Sequence, residues 1–262
     1  MSSGPNFARP PVVEVVMGVQ MHPLRSFLAP HTGLFWQEIR AEYPNVREAA
    51  IIGPQQENFS AAGAFSGGIG LEFGAVPPFP RVIYSSEQGD WLTQVQRDRF
   101  LHNWVLIEGQ EYPRYEAAVR DRFHGQWGKF RDFVDAQGLG EIRIAQLELT
   151  YLNLIDPWTA ESELSDLLPD FHWRTGGRYL GSPEAAQVGY VFGAATGDRR
   201  LRMNFEPGVR GTASVLRLEL TVRGTTQPNE TLESWFDGAR VWIVNAFRDL
   251  TGPTWHDRWG LQ

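Results

Sequence analysis

The sequence predicts an α+β protein built from two tandem β-α-β-β-β-α units, residues 1–138 and 139–262, whose strands form antiparallel sheet backed by long helices. Three observations predict it. Two long amphipathic helical stretches each follow a series of strand-like segments. The order of elements restarts near residue 140. Short matches then recur in register at an offset near 120: Phe130-Arg131-Asp132-Phe133 with Phe247-Arg248-Asp249-Leu250, and Arg81-Val82-Ile83-Tyr84 with Arg200-Leu201-Arg202-Met203.

In the first half, Val12 to Met21 is rich in β-branched residues and reads as a strand ended by His22-Pro23. Thr32 resembles an N-cap for a helix from Gly33 to Tyr43, closed by Pro44. Glycines and prolines punctuate residues 45–80, so an irregular insert with two short strands is expected there. Arg81–Ser85 is a short strand, Gln88-Gly89-Asp90 a turn, and Trp91–Val105 one long second strand. Pro113 opens a helix whose stripe is Tyr115, Val119, Phe123, Trp127, Phe130 and Val134, with Gly138 at its C-terminal end.

The second half repeats the grammar. A strand at Ile142–Ile155 ends at Asp156-Pro157, and a short helix at 160–168 is stopped by Pro169. Strands follow at Gln187–Ala194, Arg199–Glu206 and Ser214–Arg223. The final helix runs from Glu230 to Leu250 with Leu232, Phe236, Ile243 and Phe247 on one face. A continuous sheet with helices behind it is the solution used by TATA-binding-protein-like and helix-grip folds, an analogy of architecture that assigns no function.

Composition narrows the function classes. The chain of 262 residues has no cysteine, which excludes disulfides, thiolate zinc sites and cysteine nucleophiles. Its net charge of −7, with Lys129 the single lysine, disfavours non-specific binding to nucleic acid or anionic membrane. No apolar run approaches the roughly 20 residues of a membrane span, and no signal peptide is visible, so a cytoplasmic location is expected. Ten Trp, sixteen Phe and seven Tyr imply a thick core or a binding surface.

Motifs for catalysis are missing. Gly67-Gly68-Ile69-Gly70 lacks the Lys-Ser/Thr of a phosphate loop, and Ser66 has no nucleophile-elbow context. The six histidines are dispersed: His31 reads as a cap or turn partner and His172 as a packing residue. No catalytic residue, metal ligand or cofactor is therefore assigned. The candidate binding residues lie on the segment 94–104, where Gln94, Gln96 and Asp98 would face one way and Arg97 and Arg99 the other, followed by Asn103 and Trp104. Polar residues so dense in a sheet need partners, which a ligand or second protein can supply. Glu148 and Glu219 join them, since Leu147-Glu148-Leu149-Thr150 and Leu218-Glu219-Leu220-Thr221 are identical tetrapeptides; cross-strand Arg–Glu pairing and a catalytic carboxylate pair both remain open for them.

Several stretches resemble a sporadically distributed, uncharacterised bacterial protein family with no assigned activity. They are Pro10-Pro11-Val12-Val13-Glu14-Val15-Val16, His31-Thr32-Gly33-Leu34-Phe35-Trp36, Gln94 to Phe100, His102-Asn103-Trp104, Tyr112-Pro113-Arg114-Tyr115 and Leu149-Thr150-Tyr151-Leu152-Asn153. The patchy distribution implies an accessory component of a bacterial defence or toxin–antitoxin system. The expectation is a non-catalytic binding protein that engages a protein partner or its own copy. The alternatives are a small-molecule-binding protein or enzyme using the polar segment 94–104, and nucleic-acid binding on the sheet, which the acidic charge disfavours.

Overall fold

The computed structural model describes residues 4–53, 55–59, 80–156, 164–171, 176–177, 179 and 186–262. The glycine-rich stretch, Ser66, His172 and the first part of the helix expected at 160–168 lie outside them. The described elements are β1 (Val12–Met21), α1 (Ala29–Ile39), β2 (Asn45–Ala49), β3 (Arg81–Ser85), β4 (Trp91–Gln96), β5 (Arg99–Val105), a π-helical turn (Tyr115–Val119) running into α2 (Arg120–Ala136), β6 (Ile144–Ile155), α3 (Leu164–Leu167), β7 (Val188–Gly193), β8 (Arg199–Arg210), β9 (Ala213–Gly224), α4 (Leu232–Leu250) and α5 (Pro253–Trp259). All nine strands join one antiparallel sheet in the order β2-β3-β4-β5-β1-β6-β9-β8-β7. The α+β class and the antiparallel sheet are as expected. The halves are unequal, with five strands before α2 and four after it.

Alternation along the strands sorts the sheet into two faces. Val15, Met17 and Val19 of β1, Leu147, Leu149 and Tyr151 of β6, and Leu218, Leu220 and Val222 of β9 face the helices and are buried. The α2 stripe Tyr115, Val119, Phe123, Trp127, Phe130 and Val134 is buried as its spacing predicts. Phe100 of β5 meets Trp127 and Phe130 at ring separations of 5.3 and 5.2 Å. Phe123 touches Phe236 of α4 at 4.8 Å, edge to face, and Phe35 of α1 meets Phe130 at 5.4 Å. One aromatic seam thus ties three helices to a single face of the sheet. Gly138, at φ 60°, ends α2 in the left-handed conformation expected of it.

Three local expectations are corrected. Trp91–Val105 is not one strand but a hairpin, β4 and β5 joined by Arg97-Asp98, with Gln96 paired to Arg99. Neither turn residue has positive φ, so the turn lacks the Asn-Gly or Asp-Gly chemistry that marks tight hairpins. It is held from outside instead: Met21 and Leu24 donate their N–H groups to the Asp98 and Arg97 carbonyls, both at 2.9 Å, and Arg97 Nε donates to Phe27 O at 3.0 Å. Helix α1 starts at Ala29 rather than Gly33, because Pro30 is tolerated in a first turn and the His31 ring accepts the Leu28 N–H at 2.9 Å. Helix α5 was not expected; its Trp255 and Trp259 are buried, and Trp259 packs on Phe247 at 5.0 Å.

Among the described residues, no helix is long and apolar enough to cross a membrane.

On the face away from the helices, Gly18 of β1 leaves room for a larger neighbour. A Cβ there would lie 2.5 Å from Glu148 Cγ and 2.6 Å from Leu101 Cδ2. Gly18→Ala should therefore cost about 1–3 kcal/mol through overpacking, read as a lower urea midpoint with an unchanged slope.

Candidate functional site

The face of the sheet opposite the helices is polar across most of its width, and much of it is buried. Strand pairing sets Gln96 opposite Arg99, Arg99 opposite Gln20 and Gln20 opposite Gln146. Two residues further along β6, Glu148 faces Arg223 of β9, which faces Arg200 of β8. These side chains form one row running perpendicular to the strands from β4 to β8. Gln20, Gln96, Arg99 and Glu148 are each 5% exposed or less.

What buries the row is the chain just after β2. Residues 51–53 and 55–59 lie across it as a strap. The Gln96 amide clasps Ile52, accepting its N–H at 3.1 Å and donating to its carbonyl at 3.0 Å. The Gln146 amide does the same to Glu57, with both bonds at 2.9 Å. Between them, Arg99 Nη2 donates to Gly53 O at 3.3 Å and Gln20 Nε2 to Gln55 O at 3.2 Å. Arg223 Nη2 donates to Gln55 Oε1 at 2.6 Å. Ile52 and Glu57 are thus held over β4 and β6, three inter-strand gaps of about 4.8 Å apart. A primary amide carries one acceptor and one donor group and can mirror a peptide unit. That is why glutamine occupies the two positions where both backbone groups of one strap residue must be met.

The strap ends on charge. Glu57 Oε1 accepts from Arg202 Nε at 2.5 Å and Oε2 from Arg202 Nη2 at 2.7 Å, while Arg200 Nη1 stands 3.4 Å from Oε2 and also donates to Asn58 O at 2.9 Å. Burial pushes the Glu57 carboxyl up, but the Arg202 hydrogen bonds and charge outweigh it and leave it below the ordinary carboxylate range. Glu148, in the middle of the row, behaves alike. Its burial penalty is outweighed by Arg223, whose Nε lies 2.9 Å away, by Arg99 at 4.0 Å and by Gln20 at 3.0 Å, so its carboxyl is also held low.

A second chain of contacts runs along the other end of the strands. Arg81 Nη1 donates to Gln94 Oε1 at 2.8 Å, Gln94 Nε2 to Asn103 Oδ1 at 2.8 Å, and Asn103 Nδ2 to Glu14 Oε1 at 2.6 Å. Here burial dominates: despite Asn103 and Arg217, and helped by the like charge of Glu219, the Glu14 carboxyl is raised.

Comparison with protein-family models, with curated proteins and with solved structures finds no significant match to this chain.

The structure brings Gln94, Gln96, Arg99, Asn103 and Glu148 onto this one face. Arg97 and Asp98 are the hairpin turn, where Asp98 Oδ1 accepts from Gln96 Nε2 at 2.6 Å. Trp104 points the other way, buried against Tyr112 at 5.3 Å. Glu219 shares the polar face but pairs with Arg217 at 2.6 Å, and its strand partner is Leu152. Glu148 and Glu219 therefore do not form a carboxylate pair: their strand partners lie four residues apart, and each is taken by arginine. Of the two repeated tetrapeptides, the register gives cross-strand Arg–Glu pairing to Glu148, with Arg223, whereas the arginine of Glu219 is Arg217 of its own strand.

Residues that sequence reasoning did not single out are Gln20, Glu57, Gln146, Arg200 and Arg202. Gln20 and Gln146 had a usable signal, Gln20 as the lone amide of β1 and Gln146 as the first of the alternating polar residues 146, 148 and 150 of β6. Glu57 had none. Among the described residues no cluster of three or more His, Asp or Glu is placed to hold a metal ion.

The two central carboxylates should respond oppositely to substitution. Glu148 has a folded pKa below its unfolded value, so its contribution is present above about pH 4.3 and is lost as pH falls through the lower folded value. Glu148→Ala strands the buried Arg99 and the half-buried Arg223 and should cost about 3–5 kcal/mol at pH 7. Glu14 has a raised folded pKa, so its ionisation opposes folding at neutral pH. Glu14→Gln, which keeps an acceptor for Asn103, should raise the urea midpoint at pH 7, with the gain vanishing below the ordinary carboxylate range.

Proposed function

We propose that this protein is a non-catalytic binding module whose polar sheet face grips an extended polypeptide by its main chain. The observation that carries the reading is the pair of glutamine clasps: Gln96 and Gln146 each engage both the N–H and the C=O of a single residue of an extended segment. Side-chain amides that complete both halves of a peptide unit recognise chain geometry in place of a particular side chain. Arg99, Gln20 and Arg200 add donors to three further carbonyls.

The electrostatics support binding over catalysis. Glu148 and Glu57 are each engaged by at least one arginine, which favours the charged form and takes the lone pairs a general base would use. Such a face is suited to holding a charged, extended partner in one register. A partner protein is therefore the proposed ligand, and in the setting that the family resemblance implies the module would serve as an accessory component of a bacterial defence or toxin–antitoxin system. The strand order supports reading the chain as a fused duplication, because β1-β5-β4-β3 is mirrored by β6-β9-β8-β7. This equates β8 with β4, so the match of Arg81–Tyr84 in β3 to Arg200–Met203 in β8 does not join equivalent strands.

Selection of a random ten-residue peptide library on the immobilised full-length protein tests the reading. Extended acidic peptides should be enriched, and their affinity should fall at least tenfold in Gln146→Met, which keeps the side-chain volume and removes two hydrogen bonds each worth about 0.5–1.5 kcal/mol. Equal enrichment on the wild type and on Gln146→Met would defeat it.

A further inference from the structure

We infer that the strap is an exchangeable stand-in, and that the polar row takes in trans an extended acidic peptide with carboxylates two residues apart. The inference rests on the reading of the row as a main-chain-gripping surface and names the partner's chemistry and its regulation.

The spacing comes from the strap itself. Gln55 and Glu57 are two residues apart, which on an extended chain puts both side chains on the same side. Both reach arginines of the sheet, Gln55 to Arg223 at 2.6 Å and Glu57 to Arg202 at 2.5 and 2.7 Å. The pocket for the second is filled by the group that suits it, a carboxylate in bidentate contact with a guanidinium. The first holds a neutral amide oxygen against a cation. A carboxylate at that position would make a charge-assisted bond in place of a neutral acceptor.

The strap also leaves the row incompletely satisfied. Arg99 is 2% exposed, yet its Nε is buried without a hydrogen-bond partner, and its other nitrogens reach only Gly53 O at 3.3 Å and Glu148 at 4.0 Å. A buried donor without a partner costs more than the same donor in water. Among the described residues the strap makes no strand pairing with the sheet it covers, and side chains of the sheet hold its backbone at Ile52, Gly53, Gln55, Glu57 and Asn58. Its detachment therefore breaks no β-ladder. A ligand of the same shape carrying a second carboxylate gives Arg223 an anionic partner where the strap supplies an amide oxygen, and a covered row is silent until such a ligand arrives. The strap then acts as a competitor whose effective concentration sets the threshold for binding.

The test uses the full chain and labelled synthetic peptides with the sequence of residues 50–59, read by fluorescence anisotropy. The peptide carrying Gln55→Glu should bind about fivefold more tightly than the native sequence, the gain expected of one charge-assisted bond. The peptide carrying Glu57→Gln should bind at least tenfold more weakly. In the protein, Glu57→Gln loosens the internal competitor and should tighten binding of the Gln55→Glu peptide at least tenfold over wild type, whereas Arg202→Ala should abolish it. Hydrogen exchange on the wild-type chain gives a readout that does not depend on variants folding: excess Gln55→Glu peptide should accelerate exchange at the Ile52 and Glu57 amides and leave those of β1 unchanged. Exchange at those two amides that stays at the β1 rate with peptide present would make the strap a fixed part of the fold and overturn the inference. So would a single-stranded oligonucleotide that displaces the peptide at equal concentration, since the row would then answer to negative charge of any kind. If library peptides bind while strap-derived peptides do not, this inference fails alone; if neither binds, the reading of the face fails with it.

Discussion

A chain that crosses a sheet at right angles cannot satisfy its backbone by pairing with the strands beneath it. Buried peptide groups without partners are too costly to persist, so the side chains underneath must do what a neighbouring strand would. The polar face of this protein is organised by that constraint. Gln96 and Gln146 stand in for peptide units, two arginines and a third glutamine meet three further carbonyls, and a carboxylate of the strap settles on two arginines at the far end. Remove the strap, and the row becomes a line of charged and amide groups with water as its alternative partner.

The burial of so many polar groups is tolerable because most are met at short range, the Arg99 Nε being an exception. Glu148 illustrates the balance. Its position on β6 would place its side chain over β1, and Gly18 keeps that space clear. Arg223, Arg99 and Gln20 then converge on its oxygens from three different strands. Removing the carboxylate would expose the arginines' own desolvation, whereas a purely apolar replacement of the whole cluster could fold as well. The cluster therefore contributes specificity of register as much as stability, since the row lines up in one pairing of the strands.

The same strands carry the hydrophobic face, and each half of the alternation supports the other. Large aromatic side chains from α1, α2 and α4 hold β5 and its neighbours rigidly in place, which fixes the spacing of the amides on the reverse side. Of the candidate site, Gln94, Gln96, Arg99, Asn103 and Glu148 were legible as an unusual density of polar residues in strands. Arg97, Asp98 and Trp104 were assigned to it by extending a two-residue alternation through a turn that carries no local turn signal. That hairpin is imposed by the N–H groups of Met21 and Leu24, more than seventy residues earlier in the chain, which capture its carbonyls. Glu57 sits among residues with no periodicity of any kind, and only its arginines, about 145 positions later, give it a role.

By itself the sequence determined the α+β class, the stripe from Tyr115 to Val134 and the left-handed end at Gly138. Those features follow from periods of 3.6 and 2 and from the conformational freedom of one glycine, all of which are local. Tertiary structure alone decided that residues 20, 96, 99, 146, 200 and 223 share one row, and that residues 51–53 and 55–59 lie on it. Alternation tells a strand which side chains face the same way, but strand order and register choose their neighbours. Those are set by the packing of the opposite face against helices distant in sequence.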